Sequence, residues 1–292
     1  MKIYDAHIHA EGSSVPQPSK LIENLEKAGV YGGNVISVRP EESYGRIKMN
    51  YEDRMKNVLA WTKGYEDRLF PVLWMHPREK DIIDKIKDAS ERGIRAFKMI
   101  CDNYYVYEDM SMKAIEAFAK TKKPLMFHSG ILWIGNAVAG EYNKPIHWEH
   151  LLNMPGLRFS MAHCSWPWYD ECIALYGRMM AAYRTSPTGA PEMYFDLTPG
   201  TPEIYREDLF SKLFRIGYDV PHNTMFGADM SAEEYDSEYT KGWLALDNSL
   251  YDKLGIAEET RELIYEKNFL EFMGVAERTH KPRPRWKISD KV

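Results

Sequence analysis

The chain has 292 residues, 44% of them hydrophobic and 28% charged, and its 38 Lys and Arg against 43 Asp and Glu leave a formal charge of −5. A chain this long hides about three quarters of its surface on folding, which excludes a fold that needs disulfides or a metal merely to stay folded. The mildly acidic balance excludes a dedicated nucleic-acid surface, which requires clustered Lys and Arg; the one basic cluster, residues 281–287, is short and terminal.

Cys101, Cys164 and Cys172 are odd in number, far apart and without C-x-x-C spacing, so a reduced intracellular setting is expected. The opening MKIYDAHIHAEG lacks the apolar run and small-residue cleavage site of a signal peptide. No stretch approaches the roughly 18 uninterrupted apolar residues of a membrane helix. The expectation is a soluble, cytoplasmic protein with a small-molecule substrate and neither a nucleic-acid nor a membrane partner; a homo-oligomer is compatible with the sequence.

In chain order, short β-rich apolar runs fall at residues 3–7, 34–38, 70–75, 94–99, 124–128, 158–163, 193–197 and 224–228. Their starts are roughly 24 to 36 residues apart, the length of a strand, a helix and two connections. The first intervening segment places Ser19 as a helix cap before Leu21, Ile22, Leu25 and Ala28, with Gly29 as the stop. Residues 81–93 repeat the plan with Ile82, Ile83, Ile86 and Ala89. Thr201-Pro202-Glu203 reads as a cap, a first-turn Pro and an acidic first turn before Ile204, Leu209, Leu213 and Phe214. Eight such units predict an α/β fold, a (β/α)₈ TIM barrel. The rival is an open doubly wound sheet, but its phosphate-binding fingerprint is missing, because the glycine cluster at 29–33 precedes a strand instead of following one. No linker or repeat divides the chain, so a single domain over 1–292 is expected, with a helical C-terminal extension and tail from about residue 235.

A barrel carries its chemistry at the C-terminal ends of its strands. The first strand ends in His7-x-His9, the third runs into His76, the fifth ends in His128, the sixth in His163, and the eighth is followed by Asp229. Residues i and i+2 on a strand share a face, so His7 and His9 can aim together into the barrel mouth. With His128 and Asp229 they make three nitrogens and one carboxylate oxygen, a set that suits one Zn²⁺ and is tolerable to Mn²⁺, Fe²⁺ or Co²⁺. Such an ion lowers the pKa of bound water toward neutrality. A lone strand histidine is more often a hydrogen-bonded core residue. His163 stays open between a supporting hydrogen bonder, a substrate-binding group, a general acid or base, and a ligand to a second metal. His76 stands before Pro77, which can simply mark the strand exit, and His147, His150, His222 and His280 are expected to face solvent or packing neighbours.

The DAHIH start, the strand-five FHSG, the strand-six MAHCSW and the strand-eight FGADMS together resemble the amidohydrolase superfamily. The nearer likeness is to its amidohydrolase-related branch, which includes lactone hydrolases and aminocarboxymuconate-semialdehyde decarboxylase-like enzymes. It extends to the NFLEFMG segment, similar to that branch's closing helix. The resemblance implies that His7, His9 and His128 bind the metal, that Asp229 binds it and handles protons, and that His163 sits across the substrate. In binuclear members a carboxylated strand-four lysine bridges two ions, a role that would fall to Lys98 with His128 and His163 holding the second metal. The branch implies one metal, which leaves Lys98 as a substrate-binding cation or a structural residue.

Arg39, after the second strand, is suited to bidentate recognition of a substrate carboxylate, or else is a surface residue paired with Glu41 or Glu42. Trp133, Trp166 and Trp168 follow strands five and six and either wall a flat substrate or pack the loops; Tyr104, Tyr105 and Tyr107 pose the same choice. The expected function is a metal-dependent hydrolase attacking a lactone, amide or ester carbonyl of a small acidic substrate. Its alternatives are a non-oxidative decarboxylase of an unsaturated or aromatic acid and a non-catalytic barrel serving as a binding module.

Overall fold

The computed structural model describes residues 1–135, 138–186, 189–278 and 280; the basic cluster at 281–287 lies outside them. Every expected strand is present: β1 (Tyr4–His9), β2 (Gly32–Ile36), β3 (Leu69–Trp74), β4 (Ala96–Met99), β5 (Leu125–Phe127), β6 (Arg158–Met161), β7 (Glu192–Asp196) and β8 (Thr224–Met225), joined by a short β9 (Met230–Ser231). All pairings are parallel, in the order β8-β7-β6-β5-β4-β3-β2-β1-β9. The last two strands are halves of one segment that closes the ring. Leu197 N donates to Met225 O at 2.8 Å on the β7 side, while Ala6 N donates to Phe226 O at 2.9 Å and Ala232 N to His9 O at 2.7 Å on the β1 side. The architecture is a (β/α)₈ TIM barrel.

Helices α1 (Pro18–Lys27), α2 (Tyr51–Thr62), α3 (Ile82–Glu91), α4 (Asp109–Thr121), α5 (Ala139–Tyr142), α6 (Tyr169–Thr185) and α7 (Glu203–Arg215) connect the strands. The extension holds α8 (Ser237–Leu254), α9 (Glu258–Glu262) and α10 (Asn268–Phe272), the last two joined by a π-helical turn. Its role is to plug the barrel floor: the Phe269 ring stacks on Tyr4 at 4.7 Å and meets Phe70 at 5.5 Å, and Phe272 meets Tyr194 at 5.1 Å. With the floor filled by aromatic rings, a ligand is left the opposite end, where the strands finish. No helix among the described residues is long and apolar enough to cross a membrane.

Three local expectations need correction. Ser19 lies inside α1, which opens at Pro18 with no side-chain cap, because the fixed φ of Pro already suits the first helical position. Likewise α7 begins at Glu203 with Pro202, not Thr201, at the cap. Ile83 and Ile204 are exposed; the buried stripes are Ile86 with Ala89 and Leu209 with Phe210 and Leu213. Gly29 does stop α1 (its φ is +79°, and its N–H donates to Glu26 O at 3.0 Å), a left-handed conformation that costs glycine nothing.

Candidate active site

At the C-terminal end of the barrel lies a cavity of about 240 Å³ lined by His7, His9, Arg39, Lys98, His128, Trp133, His163, Trp166 and Asp229, nine of the residues singled out in the sequence. It is also lined by Glu11, Tyr44, Trp74, Ile131, Leu132, Ile134, Pro199 and Gly200. Its size falls just below the usual span of ligand pockets, roughly 300 to 1,000 Å³, which suits a small molecule.

The first strand reaches it through a kink. Pairing of β1 with β2 shifts register between Asp5 and Ile8, so that Tyr4 and Ala6 face the barrel interior lower down and His7 and His9 face the mouth, with Ile8 turned outward into the layer under the helices. Asp5 holds the kink. One carboxylate oxygen accepts from His7 N and Ala228 N, each at 2.9 Å, and the other from the Tyr235 hydroxyl at 2.8 Å. These bonds clamp β1 to the segment carrying Asp229, against the burial that pushes the Asp5 carboxyl up to about 7.

His7 Nδ1 is 2.9 Å from Asp196 Oδ2, and the other oxygen of Asp196 accepts from Thr198 N at 2.9 Å and from the Thr198 hydroxyl. With Nδ1–H donating to a buried carboxylate, the Nε2 lone pair of His7 faces the cavity. It lies 3.1 Å from His9 Nε2, 3.1 Å from Lys98 Nζ and 3.7 Å from Asp229 Oδ1, which is itself 3.5 Å from His9 Nε2. The ligating atoms of His7, His9 and Asp229 all fall within 4.8 Å of one another. Burial, and after it Lys98, lowers His7 well below 6.5. Burial, with charge on His7 and Lys98 adding to it, does the same to His9. Two neutral imidazoles with converging Nε2 atoms beside a carboxylate make a donor set that fits a divalent transition metal, and the His7–Asp196 bond is the support that metal-binding histidines commonly have.

Burial pushes the Asp229 carboxyl up to about 7, opposed by Lys98; 34% of its side chain is open to the cavity, so water tempers that push. Burial likewise brings Lys98 down to about 8 against the pull of Asp196 and Asp229. His128 stands apart from the close group: its Nε2–H donates to Ile131 O at 3.3 Å and its ring centre is 5.0 Å from that of His163. Sequence reading placed His163 within a strand, but β6 ends at Met161, and His163, Cys164 and Ser165 take φ values of +59°, +44° and +62°. Asp229 is also left-handed, at +58°. Non-glycine residues held there mark positions that the surroundings over-determine. His163 Nδ1–H donates to Pro199 O at 2.9 Å, leaving Nε2 for the cavity, and burial drops the ring to about 4.

The Arg39 guanidinium lies 5.3 Å from the Tyr44 ring centre and 5.8 Å from that of Trp74, and its charged partner is Glu11 at 3.6 Å, not Glu41 or Glu42. Trp133 stacks on Trp166 at 5.6 Å. Trp168 sits outside the cavity under Lys144, Tyr104 is buried against His76, and Tyr105 and Tyr107 stack on each other beside His147, so these rings pack loops. His76 lies behind the wall: Nε2–H donates to Asp102 at 3.3 Å, and Asp102 in turn accepts from Ser43 Oγ at 2.7 Å and Tyr44 N at 3.0 Å. His222 and His280 meet at Asp219 away from the mouth, with rings 3.5 Å apart and 10° from parallel. In rings stacked this nearly parallel the in-plane nitrogen lone pairs do not converge on a nearby point, an arrangement unsuited to sharing an ion.

Sequence reasoning missed Asp196, Asp5 and Asp102. The signal available for Asp196 was an acid closing an otherwise apolar strand (MYFDL).

The sequence matches no family model and no curated protein. Among solved structures, an uncharacterized TIM-barrel protein from Bordetella bronchiseptica is similar at 16% identity and TM-score 0.66 over 95% of this chain and 100% of that one. 5-Carboxyvanillate decarboxylase from Sphingomonas paucimobilis is similar at 8% identity and TM-score 0.62, over 94% and 99%. An amidohydrolase from Burkholderia multivorans is similar at 10% and 0.61, over 94% and 99%. At these identities what the chain shares with them is the barrel fold.

Proposed function

We propose that this chain is a metal-dependent hydrolase of the amidohydrolase-related kind, acting on a lactone, amide or ester carbonyl of a small acidic molecule in the cytoplasm. The observation that carries the reading is the convergence of His7, His9 and Asp229 on one point of the cavity, with His7 backed by Asp196. A divalent ion bound there, Zn²⁺ by the chemistry of the donors, supplies Lewis acidity and an activated water. His7 and His9 would hold it through Nε2, and His128, from β5 across the ring, would join them once its Nε2 left Ile131 O. Asp229, beside the ion, takes a proton at its carboxylate and returns it to the leaving group. His163 offers Nε2 to the substrate, its ring fixed by the Pro199 carbonyl. Lys98, between Asp196 and Asp229 in charge, hydrogen-bonds the substrate oxygen that becomes negative.

Arg39, held against Tyr44 and Trp74 in the same cavity, favours one second reading: decarboxylation of an unsaturated or aromatic acid whose carboxylate it grips. Protein purified without chelator is expected to carry about one divalent transition metal per chain, and His7→Ala or Asp229→Ala to lose both metal and turnover. Metal-free protein would favour a non-catalytic binding barrel. A screen of lactones and unsaturated carboxylic acids, with carbon dioxide measured directly, separates the two reactions; metal- and Arg39-dependent release of carbon dioxide would replace hydrolysis by decarboxylation.

A further inference from the structure

The walls of the cavity are chemically unequal. The loops after β1 and β2 contribute Glu11, Arg39 and Tyr44 and the end of β3 contributes Trp74, whereas the lining from residue 131 onward to Gly200 holds no acidic, Lys or Arg side chain and is dominated by Ile131, Leu132, Trp133, Ile134 and Trp166. In an eight-stranded ring the exits of β2 and β6 are four strands apart, hence on opposite sides of the mouth. Arg39 follows the one and Trp166 the other.

Each wall also has something left over. Arg39 Nε is buried without a hydrogen-bond partner, and the nearest carboxylate, of Glu11, stops 3.6 Å from Nη1, so the guanidinium fork retains donors for an incoming acceptor. A carboxylate satisfies such a fork in bidentate fashion. On the other side Trp133 is 71% exposed and Ile134 61%, although both border the cavity and Trp133 already stacks on Trp166. A large exposed apolar surface continuous with a binding cavity is the mark of a surface that a ligand covers.

We propose that the cavity takes a two-ended substrate, with a carboxylate on Arg39, a flat apolar group on the Trp133–Trp166 pair, and the reacting carbon between them over His7, His9 and Asp229. The placement of the reacting carbon rests on the metal-dependent reading; the two end sites do not. The ligand class is therefore an aryl or otherwise flat apolar carboxylic acid, spanning the mouth.

Three unreactive probes test this by calorimetric titration of the protein as purified without chelator: 4-phenylbutyrate with both ends, butyrate with the acid alone, and 4-phenylbutan-1-ol with the ring alone. 4-Phenylbutyrate should bind at least about tenfold tighter than either. Arg39→Met should bring it to the level of the alcohol without changing the alcohol, with Arg39→Lys in between because an ammonium lacks the fork. Trp133→Ala, at an exposed position that folding does not depend on, should bring it to the level of butyrate. Unchanged 4-phenylbutyrate binding in Arg39→Met would overturn the acid end, by placing the carboxylate on the metal or Lys98, and unchanged binding in Trp133→Ala would overturn the apolar end. Metal content measured on the same samples keeps the outcomes apart: full metal with no two-ended preference sinks this inference alone, and two-ended preference without metal sinks the hydrolase reading alone.

Discussion

The Nδ1 atom of His7 lies 2.9 Å from Asp196 Oδ2, with both side chains buried. The carboxylate fixes the tautomer of His7 and makes Nε2 the more basic, so its effect should appear wherever Nε2 acts as a ligand. Asp196→Asn keeps an acceptor for Nδ1–H but removes the charge. Metal affinity, measured by competition with a chelator, should fall roughly 10- to 100-fold while the fold survives. Unaltered affinity would mean that His7 does not ligate through Nε2.

A smaller change acts on His163. A Cβ added at Gly200 would lie 2.7 Å from Cβ, Cγ and Nδ1 of the imidazole, a clash that neither the ring nor the loop absorbs freely. Gly200→Ala should displace His163 from the Pro199 carbonyl. Turnover of the substrate found by screening should drop by about 100-fold, the usual effect of displacing a reacting group by about 1 Å. Stability should fall by only about 1–3 kcal/mol, as for overpacking elsewhere, and urea unfolding checks it. Full turnover in this variant would remove His163 from the chemistry.

Much of this architecture was legible because parallel strands buried on both faces read as unbroken apolar runs, such as residues 69–74, and because barrel ligands stand where those runs end. What could not be read were relationships fixed by tertiary contact. Asp196 is 189 positions from His7, and a strand-terminal Asp is unremarkable until its partner is known. The i, i+2 rule correctly put His7 and His9 on one face, yet it could not tell that Ala6 also points inward, because the register shift of β1 depends on its pairing with β2. The left-handed turn at His163 and the aromatic plug of Phe269 on Tyr4 likewise have no local signature. Ser19 and Thr201 misled for the opposite reason: a good cap residue was present, but an adjacent proline set the helix start.

Asp102 should act on the cavity without touching it. Its carboxylate joins His76 to Ser43 and the Tyr44 N–H, and Tyr44 in turn carries Arg39. Asp102→Asn should cost about 1–3 kcal/mol by leaving a buried donor unpaired, and should weaken butyrate and 4-phenylbutyrate binding while sparing 4-phenylbutan-1-ol. It also has a pH signature. Burial pushes the Asp102 carboxyl up, but the bonds from His76, Ser43 and Tyr44 outweigh it and hold the group below its ordinary 3.8. As pH falls the unfolded chain takes up that proton first, so this stabilisation is complete above about pH 4 and disappears as pH drops through the lower folded value. Urea midpoints of the native chain should therefore decline more steeply below pH 4 than those of Asp102→Asn; parallel decline would show that the network does not hold the charge.

The bidentate pair of Arg206 on α7 with Asp247 on α8 tests what joins the outer helices. Nε and Nη2 donate to the two carboxylate oxygens at 2.9 and 2.8 Å, both residues are buried, and the guanidinium lies 4.9 Å from the Trp243 ring and 5.1 Å from Phe210. Removing either partner strands a charge in a site that solvent does not reach, whereas removing both relieves the desolvation that the pair itself suffers. Arg206→Met and Asp247→Leu should each cost about 3–5 kcal/mol, and the double variant should recover most of that loss. Urea unfolding with an unchanged slope measures all three, and the slope guards against a change in the unfolded state. Additive losses in the double variant would mean that each side chain is held by its apolar neighbours and that the ion pair contributes no coupling between α7 and α8.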